Sequence, residues 1–503
     1  MNKKQSFLLL FAVLVIATCG LIYELVACTL SSYLLGDSIT QFSTIIGAYL
    51  FAMGIGSWLT KYINGNILSW FIQIELLVGV IGGCSALILF FSFGLTGIFQ
   101  LILYINVLLI GILVGLEIPL LMRLLKENYQ FSDLVSKVLS VDYMGALLAS
   151  IAFPLFFMPK LGLVRTSLFF GIINVVIGIW MSFSKFDEKV QPLYIRVLSI
   201  FSFLFLTLMF IYGDKLTQLA ESAQLGEHII YARSSPYQRI LLTRSQRDLK
   251  LYLNGNLQFS SADEYRYHES LIHPVFEYAK RHKSVLILGG GDGMAAREIL
   301  KYPDVENITL VDLDPQMTKM FKENSLLTSL NKNSLNSRKI KVVNQDAFAW
   351  LKLNHTQYDL IIIDFPDPGN FSIGKLYTTA FYRLLQTCMH TETVGVVQST
   401  SPLFAPKSFH CVENTLKSSG VVTLPYHVYI PSFGEWGYIM FSNEELTKKT
   451  INLPSNLKYY TSSLFSQMCQ FPLDMVANNT TINSLNNQLL VDLFEKEWSN
   501  YIQ

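Results

Sequence analysis

The chain has 503 residues, more than one ordinary domain holds, and a formal net charge of +1, which indicates no basic surface for nucleic acid. Its six cysteines show no paired spacing, so neither a disulfide framework nor a zinc site is predicted. Hydrophobic residues make up 51% of the chain and charged residues only 15%, and the two are unevenly distributed. Long apolar runs end near residue 213 and charge returns after it, which indicates a membrane part followed by a globular part.

The membrane part contains seven candidate spans, each close to the ~20 residues that cross a bilayer. The fifth is the weakest because it holds Asp142, Pro154 and Pro159, and a re-entrant fifth segment would leave six crossings. The spans lie at about 6–28, 40–60, 70–94, 97–122, 139–158, 165–184 and 195–213.

The orientation of these spans follows from two arguments that disagree. By the positive-inside rule, basic residues flanking the spans indicate a cytoplasmic N-terminus, and seven spans would then leave the globular part outside. Because the activity argued from the globular part uses cytosolic substrates, we expect a cell-membrane protein whose globular part lies in the cytoplasm. The flanking basic residues are Lys3, Lys4, Arg123, Lys126, Lys137, Lys185 and Lys189.

Four acids, Glu24, Glu75, Glu117 and Asp142, lie within or at the edges of the apolar runs. Intramembrane acids are costly and are often functional. They would line a path for cationic amines, or would form hydrogen bonds between helices.

The globular part is organised around one glycine-rich segment, Val285-Leu-Ile-Leu-Gly-Gly-Gly-Asp-Gly293. An apolar strand, a tight turn and a helix start are predicted there. A second strand, Ile308 to Asp314, ends in acids about 20 residues later, where nucleoside-binding α/β folds hold a ribose. A dinucleotide fingerprint fails at Met294, and Asp292 disfavours an anionic ligand, so a sulfonium or an amine is favoured.

Strands and helices alternate through the rest of the globular part, which predicts a mostly parallel, doubly wound α/β sheet. A small antiparallel β region precedes it, with Asn254-Gly255 as a hairpin turn signal. The predicted domains are a multi-pass helical domain at 1–213, the β region at 214–262, a Rossmann-like domain at 263–450, and a C-terminal extension at 451–503 with an Asn-rich linker and a short helix from Leu489. The predicted strands lie at 285–289, 308–314, 339–343, 359–364 and 394–398, and near 421–430 and 436–441.

Acidic residues follow four successive strands of this sheet, at the edge where ligands gather. One such acid would be an ordinary helix cap or turn residue, but a mouth lined by several carboxylates fits a polycation. The acids are Asp292, Asp312, Asp314, Asp346, Asp364 and Asp367.

Over roughly 230–440 the chain resembles the spermidine synthase, or polyamine aminopropyltransferase, family. The N-terminal spans and Pro431-Ser-Phe-Gly-Glu-Trp-Gly437 resemble its membrane-anchored bacterial branch. The resemblance is carried by Ser235-Pro-Tyr-Gln238, Leu253-Asn-Gly-Asn-Leu-Gln258, Asp263-Glu-Tyr-Arg-Tyr-His-Glu269, Gly289-Gly-Gly-Asp-Gly293, Val311-Asp-Leu-Asp314, Gln345-Asp-Ala347 and Asp364-Phe-Pro-Asp-Pro368.

The resemblance implies a Rossmann-like domain of the S-adenosylmethionine type and a reaction without cofactor or metal. An aminopropyl group would move from the co-substrate decarboxylated S-adenosylmethionine to putrescine, giving spermidine and methylthioadenosine. Asp364 would be the catalytic acid/base residue, and the family's oligomers imply at least a homodimer. The donor would be bound by Gln238, Gly289, Gly291, Asp292, Asp312 (ribose), Asp346 and Ala347 (adenine). The amine portions would be bound by Tyr237, His268, Asp292 and Asp367.

Three positions depart from the family's pattern. Asp312 stands where Glu is usual, Phe365-Pro366 separates the two catalytic-site acids, and Pro431-Ser-Phe-Gly434 lacks a phenol that helps to line the acceptor pocket. Two other functions stay open. One is a methyltransferase on the same fold, which the acidic loop and the pair Asp364 and Asp367 disfavour. The other is a non-catalytic polyamine sensor or transporter that uses the intramembrane acids.

Overall fold

A computed structural model of the chain describes residues 3–35, 38–93, 98–126, 129–184, 192–245, 248–477 and 481–501. Lys185 and Lys189 of the positive-inside argument, and residues 478–480 of the predicted Asn-rich linker, lie outside the described residues. The chain forms two compact units, Met1–Gln238 and Arg239–Gln503.

Long helices make up most of the first unit. The last one continues past residue 213 to Leu225, so the start of the segment predicted as a β region at 214–262 is helical instead, and Gly226, with φ 64° in the left-handed region, ends the helix. The elements are α1 (Lys3–Leu35), α2 (Ser38–Leu59), α3 (Ile67–Phe93), α4 (Phe99–Leu125), α5 (Phe131–Ala152), α6 (Met158–Phe183), α7 (Leu193–Leu225) and strand β1 (His228–Ser234).

By length and composition, six helical segments of the described chain are apolar enough to cross a membrane. One of them, Phe131–Phe183, joins α5 and α6 through a π-helical stretch at Phe153–Phe157 and has 53 residues. A straight helix of 53 residues, at ~1.5 Å per residue, would be about 80 Å long, more than twice the ~30 Å of a hydrocarbon core. Gly162, with φ 72°, interrupts its helical geometry.

Both helices of this long segment, α5 and α6, contact α1 at the same height along its axis. The Thr18 hydroxyl of α1 lies 3.2 Å from the Gly145 carbonyl of α5, and the neighbouring Cys19 Sγ lies 3.7 Å from the Phe170 carbonyl of α6. The chain therefore reverses direction between Gly145 and Phe170, and whether it crosses a membrane six or seven times stays a prediction.

Contacts at successive heights give the direction of these passes. Tyr23 and Cys19 of α1 face Gly82 of α3 and Phe170 of α6, and α6 runs antiparallel to α3 and to α7. Helix α7 therefore runs parallel to α3. The pairs that establish the antiparallel packing of α6 are Gly79 with Asn174, Gly83 with Ser167, Leu206 with Gly171, and Gly213 with Arg165.

Large apolar side chains cover the outside of the helical unit, for example Phe51 (67% exposed) and Phe201 (65% exposed). An apolar surface of this kind is typical of contact with lipid or with another apolar partner. Inside, small residues let the helices approach closely: a Cβ on Gly115 would lie 2.2 Å from the Met53 carbonyl oxygen.

The second unit begins with three antiparallel strands, β2 (Arg239–Ser245), β3 (Asp248–Leu253) and β4 (Asn256–Ser260). Asn254 and Gly255 connect β3 to β4 with φ values of 50° and 80°. Two left-handed residues in a two-residue connection are typical of the turn that matches strand twist. The predicted small antiparallel region is therefore confirmed.

A seven-stranded sheet follows, in the order β10-β11-β9-β8-β5-β6-β7. The five strands from β9 to β7 are parallel, whereas β11 runs antiparallel to β9 and to β10. The Rossmann-like fold class is confirmed. The strands are β5 (Ser284–Gly289), β6 (Asn307–Asp312), β7 (Ile340–Asn344), β8 (Tyr358–Asp364), β9 (Met389–Gln398), β10 (Val422–Ile430) and β11 (Gly434–Ser442).

Helices connect the strands and cover the sheet. The short helix predicted from Leu489 is present at the C-terminus. The helices are α8 (Glu264–Tyr278), α9 (Met294–Ile299), α10 (Pro315–Glu323), α11 (Ser325–Leu330), α12 (Ala347–Leu353), α13 (Phe371–Gly374), α14 (Thr379–Gln386), α15 (Pro406–Lys417), α16 (Phe465–Met468) and α17 (Leu489–Trp498).

The strand order reverses at β5 and β8, since the chain leaves β5 in one direction and returns to β8 on its other side. Gly289, the last residue of β5, pairs with Asp364, the last residue of β8. In open α/β sheets, ligands bind in the crevice at such a reversal, outside the carboxyl ends of the strands.

Candidate active site

The glycine loop after β5 is pressed between the carboxyl ends of β6 and β8. Gly289 has φ 85°, and a Cβ there would lie 2.1 Å from the Asp364 carbonyl oxygen. A Cβ on Gly291 would lie 2.6 Å from the Asp312 carboxylate. Only glycine permits both approaches, and the loop is therefore held against the two acids that end the neighbouring strands.

Asp312, predicted to bind a ribose, is fixed by two backbone amides. One carboxylate oxygen accepts from the Gly291 N–H at 3.1 Å, and the other accepts from the Asp314 N–H at 2.9 Å. Burial raises the pKa of Asp312 to about 7, with Asp314 and Asp292 adding to it and the two amides opposing it. The shorter side chain at this position is thus drawn close to the loop.

His268 is buried on α8 and is held by an ion pair behind it. Its Nδ1 lies 2.8 Å from Glu264 Oε2, and the two Glu264 oxygens accept from the Arg297 guanidinium at 2.9 and 2.8 Å. Burial, which lowers the pKa of His268, is outweighed by Glu264, Asp292 and Asp364, so the pKa is raised above its usual range. A cationic imidazolium is therefore favoured beside Asp292 and Asp364.

Asp292 caps the helix after the glycine loop through Oδ1, which accepts from the Met294 N–H at 2.8 Å. Burial raises its pKa, and His268 acts against this. The predicted amine-binding pair, His268 and Asp292, is therefore brought together.

Asp364 receives a hydrogen bond that sequence analysis did not assign. The Tyr267 hydroxyl donates to its Oδ1 at 2.5 Å. Burial raises the pKa of Asp364 to about 6, with Asp292 adding to it and His268 and Tyr267 acting against it. A carboxylate with this pKa is ionised at neutral pH and is a better proton acceptor than an exposed aspartate.

Asp367 lies three residues further along and keeps one oxygen without a hydrogen-bond partner among the described residues, the buried Oδ1. Its Oδ2 accepts from the Thr400 hydroxyl at 3.4 Å. Burial raises the pKa of Asp367 to about 7, against the effects of Gln398 and Thr400. A buried, unpaired carboxylate oxygen is costly unless a cation joins it.

Phe365, one of the departures from the family's pattern, faces away from these acids. It is buried in the hydrophobic core beside Tyr377 and Phe381, and its backbone carbonyl accepts from the Gln398 amide. The substitution therefore changes the packing behind the acids rather than their carboxylates.

Asp346 serves as the N-cap of α12, because its Oδ1 accepts from the Ala349 N–H at 3.0 Å. Its Oδ2 pairs with Lys375 Nζ at 2.6 Å. Burial, which raises its pKa, is outweighed by Lys375 and the cap amides, so the pKa is lowered. The helix-cap interpretation thus holds for Asp346, and adjacent Ala347 is buried. Their contact with adenine stays a prediction.

Tyr237 and Gln238 belong to the end of the first unit. The Ser235 N–H donates to the Gln238 carbonyl at 2.8 Å and closes a turn, and Tyr237 is 50% exposed. Their roles at the donor and acceptor stay predictions.

Three residues that position side chains of the site were not predicted from the sequence: Tyr267, Arg297 and Thr400. Tyr267 lies inside the motif Asp263-Glu-Tyr-Arg-Tyr-His-Glu269, and Thr400 follows the fifth predicted strand, at the same sheet edge as the site's acids. Its position after that strand end could have predicted Thr400 as a site residue. Among the described residues, no cluster of three His, Cys, Asp or Glu residues is arranged to hold a metal ion.

Comparison with known proteins adds a second line of evidence. The model of the spermine/spermidine synthase domain matches residues 264–453. A polyamine aminopropyltransferase from Leptospira interrogans is 49% identical over 98% of each chain. A polyamine aminopropyltransferase from Ralstonia nicotianae is 48% identical over 99% of each chain.

The chain belongs to the polyamine aminopropyltransferase family. The resemblance carried by the glycine loop and the paired acids is confirmed, and the chain is a transferase of this family. A crystal structure of spermidine synthase in complex with the transition-state analogue AdoDATO is 24% identical, with a TM-score of 0.46, and the match covers 48% of this chain and 85% of that one.

Proposed function

We propose that the chain moves an aminopropyl group from decarboxylated S-adenosylmethionine to putrescine, giving spermidine and methylthioadenosine. The observation that carries the proposal is the pair of acids after β8. Asp364 is held by Tyr267 at the point where the strand order reverses, and Asp367 keeps an unpaired buried oxygen. Such a pair suits a diamine, because one nitrogen must lose a proton to react and the other stays a cation that must be bound.

The obstacle in this reaction is the protonated nucleophile. An alkylammonium has a pKa near that of lysine, about 10.4, so freeing the amine at neutral pH costs roughly 4–5 kcal/mol. In the proposed step the amine nitrogen forms a bond to the aminopropyl carbon, the carbon–sulfur bond breaks, and the sulfur leaves as a neutral thioether. The amine proton passes to Asp364, and positioning of the two reactants supplies much of the acceleration.

The remaining carboxylates suit a cationic donor. Asp312 would bind the ribose hydroxyls beside the glycine loop, and Asp346 with Ala347 would contact the adenine. His268 and Asp292 would hold the amine portions. The same acidic lining would repel the carboxylate of ordinary S-adenosylmethionine, which favours the decarboxylated donor.

Product analysis with the full chain tests the proposal. Decarboxylated S-adenosylmethionine with a panel of diamines should give methylthioadenosine and spermidine from putrescine. We expect Asp364→Asn to lower kcat about 10²–10⁴-fold, because it removes the proton acceptor, with little change in donor binding. Methylation of an amine by ordinary S-adenosylmethionine, or full activity in Asp364→Asn, would contradict the proposal.

The apolar helices support a location in the cell membrane with the catalytic unit in the cytoplasm, where its substrates are. By analogy with the family, the assembly is at least a homodimer. Mass measurement in detergent micelles tests the oligomer, and a monomer with full activity would count against it.

For the membrane part we infer a second function, amine transport, from the polar groups inside the helical unit. Glu75 is fully buried and shares a side-chain hydrogen bond with buried Glu117, so two carboxyl groups meet inside the helical unit. Glu117 Oε1 and the side chain of buried Asn174 have no hydrogen-bond partner among the described residues. Buried acids at membrane depth often mark an ion path, and a cationic amine would supply the missing partner.

Amine flux into sealed proteoliposomes tests this second function. Glu75→Gln should abolish flux and leave aminopropyl transfer intact, whereas Asp364→Asn should abolish transfer and leave flux intact. Equal flux in empty liposomes and in liposomes that contain the protein would rule transport out.

A further inference from the structure

We infer that the C-terminal helix α17 belongs to the acceptor site, where Trp498 orients Asp367 through Thr400. The inference rests on the proposed aminopropyl transfer and names positioning residues for its acceptor. Trp498 lies beyond residue 453, where the matched family domain ends, so the motifs of that domain do not assign it a role.

A chain of two hydrogen bonds connects α17 to Asp367. The Trp498 indole N–H donates to the Thr400 hydroxyl at 3.4 Å, and that hydroxyl donates to Asp367 Oδ2 at 3.4 Å. With its oxygen engaged by Trp498, the Thr400 hydroxyl hydrogen is directed at Asp367. Oδ1 is then the carboxylate oxygen left for a cation, and it has no other partner among the described residues.

Thr400 adopts a backbone conformation that is rare for its residue type. Its φ is 50°, in the left-handed region, where a β-branched residue is strained. The Gly437 N–H donates to its carbonyl at 2.7 Å, its own N–H donates to Gln398 Oε1 at 3.3 Å, and it is 1% exposed. Strain persists where the surroundings over-determine a residue, and here they place one hydroxyl between Trp498 and Asp367.

Helix α17 is firmly docked at this position. The Glu497 carboxylate caps α15, accepting from the N–H groups of Lys407 and Ser408 at 2.8 and 2.9 Å and from the Ser408 hydroxyl at 2.7 Å. The Phe404 ring packs against Trp498 at 5.5 Å and against Tyr501 at 5.0 Å.

The same helix reaches the loop that follows Asp367. A Cβ on Gly369 would lie 3.6 Å from the Phe494 ring of α17. The helix therefore meets two neighbours of Asp367, Thr400 and the loop at Gly369. We expect it to govern how the far ammonium group of the diamine is bound, and to leave the donor unaffected.

Trp498→Phe in the full chain tests this role, because it keeps an aromatic ring against Phe404 and removes the indole N–H. We expect the KM for putrescine to rise about five- to tenfold, as for one lost hydrogen bond beside a charged group. The KM for the donor should stay unchanged, and kcat should stay within about twofold.

A coupled variant and a control separate positioning from general damage. Thr400→Val removes the hydroxyl and should raise the KM for putrescine at least as much, whereas Thr400→Ser should restore it. Adding Trp498→Phe to Thr400→Val should cause no further change, because Trp498 acts through that hydroxyl. Lys496→Gln, at an exposed position of the same helix, should behave as the wild type.

An unchanged putrescine KM in Trp498→Phe, or equal increases in both KM values, would overturn the inference. Additive effects of Trp498→Phe and Thr400→Val would do the same. Putrescine binding by calorimetry separates the inference from the proposed reaction. If the wild type binds putrescine without turnover, the proposed reaction is wrong. The inference then stands only if Trp498→Phe raises the Kd for putrescine.

Discussion

Asp364 shows how neighbouring groups set the ionisation of a single carboxylate. Burial raises its pKa to about 6, and the hydrogen bond from Tyr267 opposes that rise because it stabilises the charged form. Asp364 accepts a proton only when it is ionised, so activity should rise with pH through about 6. In the proposed mechanism Tyr267 would therefore set the pH range of activity without taking the proton itself.

Tyr267→Phe should move the acidic limb of the pH profile upward. Loss of the hydroxyl favours the protonated carboxyl group, which raises the pKa of Asp364 and shifts the rise in kcat/KM for the diamine to a pH above about 6. A pH–rate profile from pH 5 to 9 measures the shift. Tyr265→Phe is the control, since that ring lies 5.1 Å from Lys458 Nζ. A limb that stays in place or moves downward would count against this role.

Glu264→Gln should destabilise the second unit by about 1–3 kcal/mol at pH 7, because it removes the charge that pairs with Arg297 and His268, while Glu298 still pairs with Arg297 at 2.9 Å. The pKa of Glu264 is lowered to about 2, with His268 and Arg297 outweighing burial. Its contribution to stability is therefore fully present above the unfolded value of about 4.3 and is lost as the pH falls toward 2.

Thermal unfolding of wild type and Glu264→Gln across this pH range tests that expectation, and the difference in Tm should shrink as the pH falls. Glu306→Gln removes an exposed partner of Lys283 and should change stability by about 0–1 kcal/mol at most. A Tm difference that is independent of pH would refute the linkage.

Among the elements of the candidate site, the glycine loop leaves no room for a side chain at Gly289 or Gly291. It connects β5 to α9, and the acids that end β6 and β8 lie on either side of it. The loop can approach a donor nucleoside closely only because no side chain intervenes. The conformation of the loop and the position of the Asp312 carboxylate therefore depend on each other.

Gly291→Ala should separate the loop from Asp312, since the added Cβ would lie 2.6 Å from that carboxylate. Overpacking of this kind typically costs about 1–3 kcal/mol, so we expect the donor KM to rise about tenfold and the Tm to fall. Steady-state kinetics with varied donor measure the effect. At Gly369 the added Cβ meets Phe494 at 3.6 Å, an ordinary contact, and Gly369→Ala should keep the donor KM of the wild type.

For the whole molecule, the number of passes decides which side of the membrane the chain reaches after α7. Seven passes would put the ends of α1 and α7 on opposite sides of it. A cytoplasmic catalytic unit then requires an N-terminus on the outer face, against the positive-inside argument from the first residues. The few basic residues near the spans carry less weight than the cytosolic location of the proposed substrates.

Single cysteines introduced before α1 and at Glu227, after α7, should be labelled from opposite sides in intact cells. We expect an impermeant thiol reagent to label the N-terminal cysteine from outside and the second one only after the cells are opened. The six native cysteines must first be replaced, and aminopropyl transfer by that background verifies its fold. Labelling of both positions from one side would refute the seven-pass arrangement.

The sequence by itself determined the features that depend on near neighbours. The strand, turn and helix from Val285 to Ile299 follow from an apolar run, four glycines and helix-favouring residues, and the hairpin follows from Asn254-Gly255. Acids at successive strand ends predicted a crowded mouth because the ends of parallel strands meet at one edge. These inferences need only periodicity and local backbone preference.

Only the tertiary structure decided which partners those residues meet. Lys375 reaches Asp346 from 29 residues away, and Trp498 reaches Thr400 from 98 residues away. The two passes of α5 and α6 beside α1 and the continuation of α7 to Leu225 are likewise set by packing. Contacts between distant segments depend on how whole elements pack, and no local pattern records them.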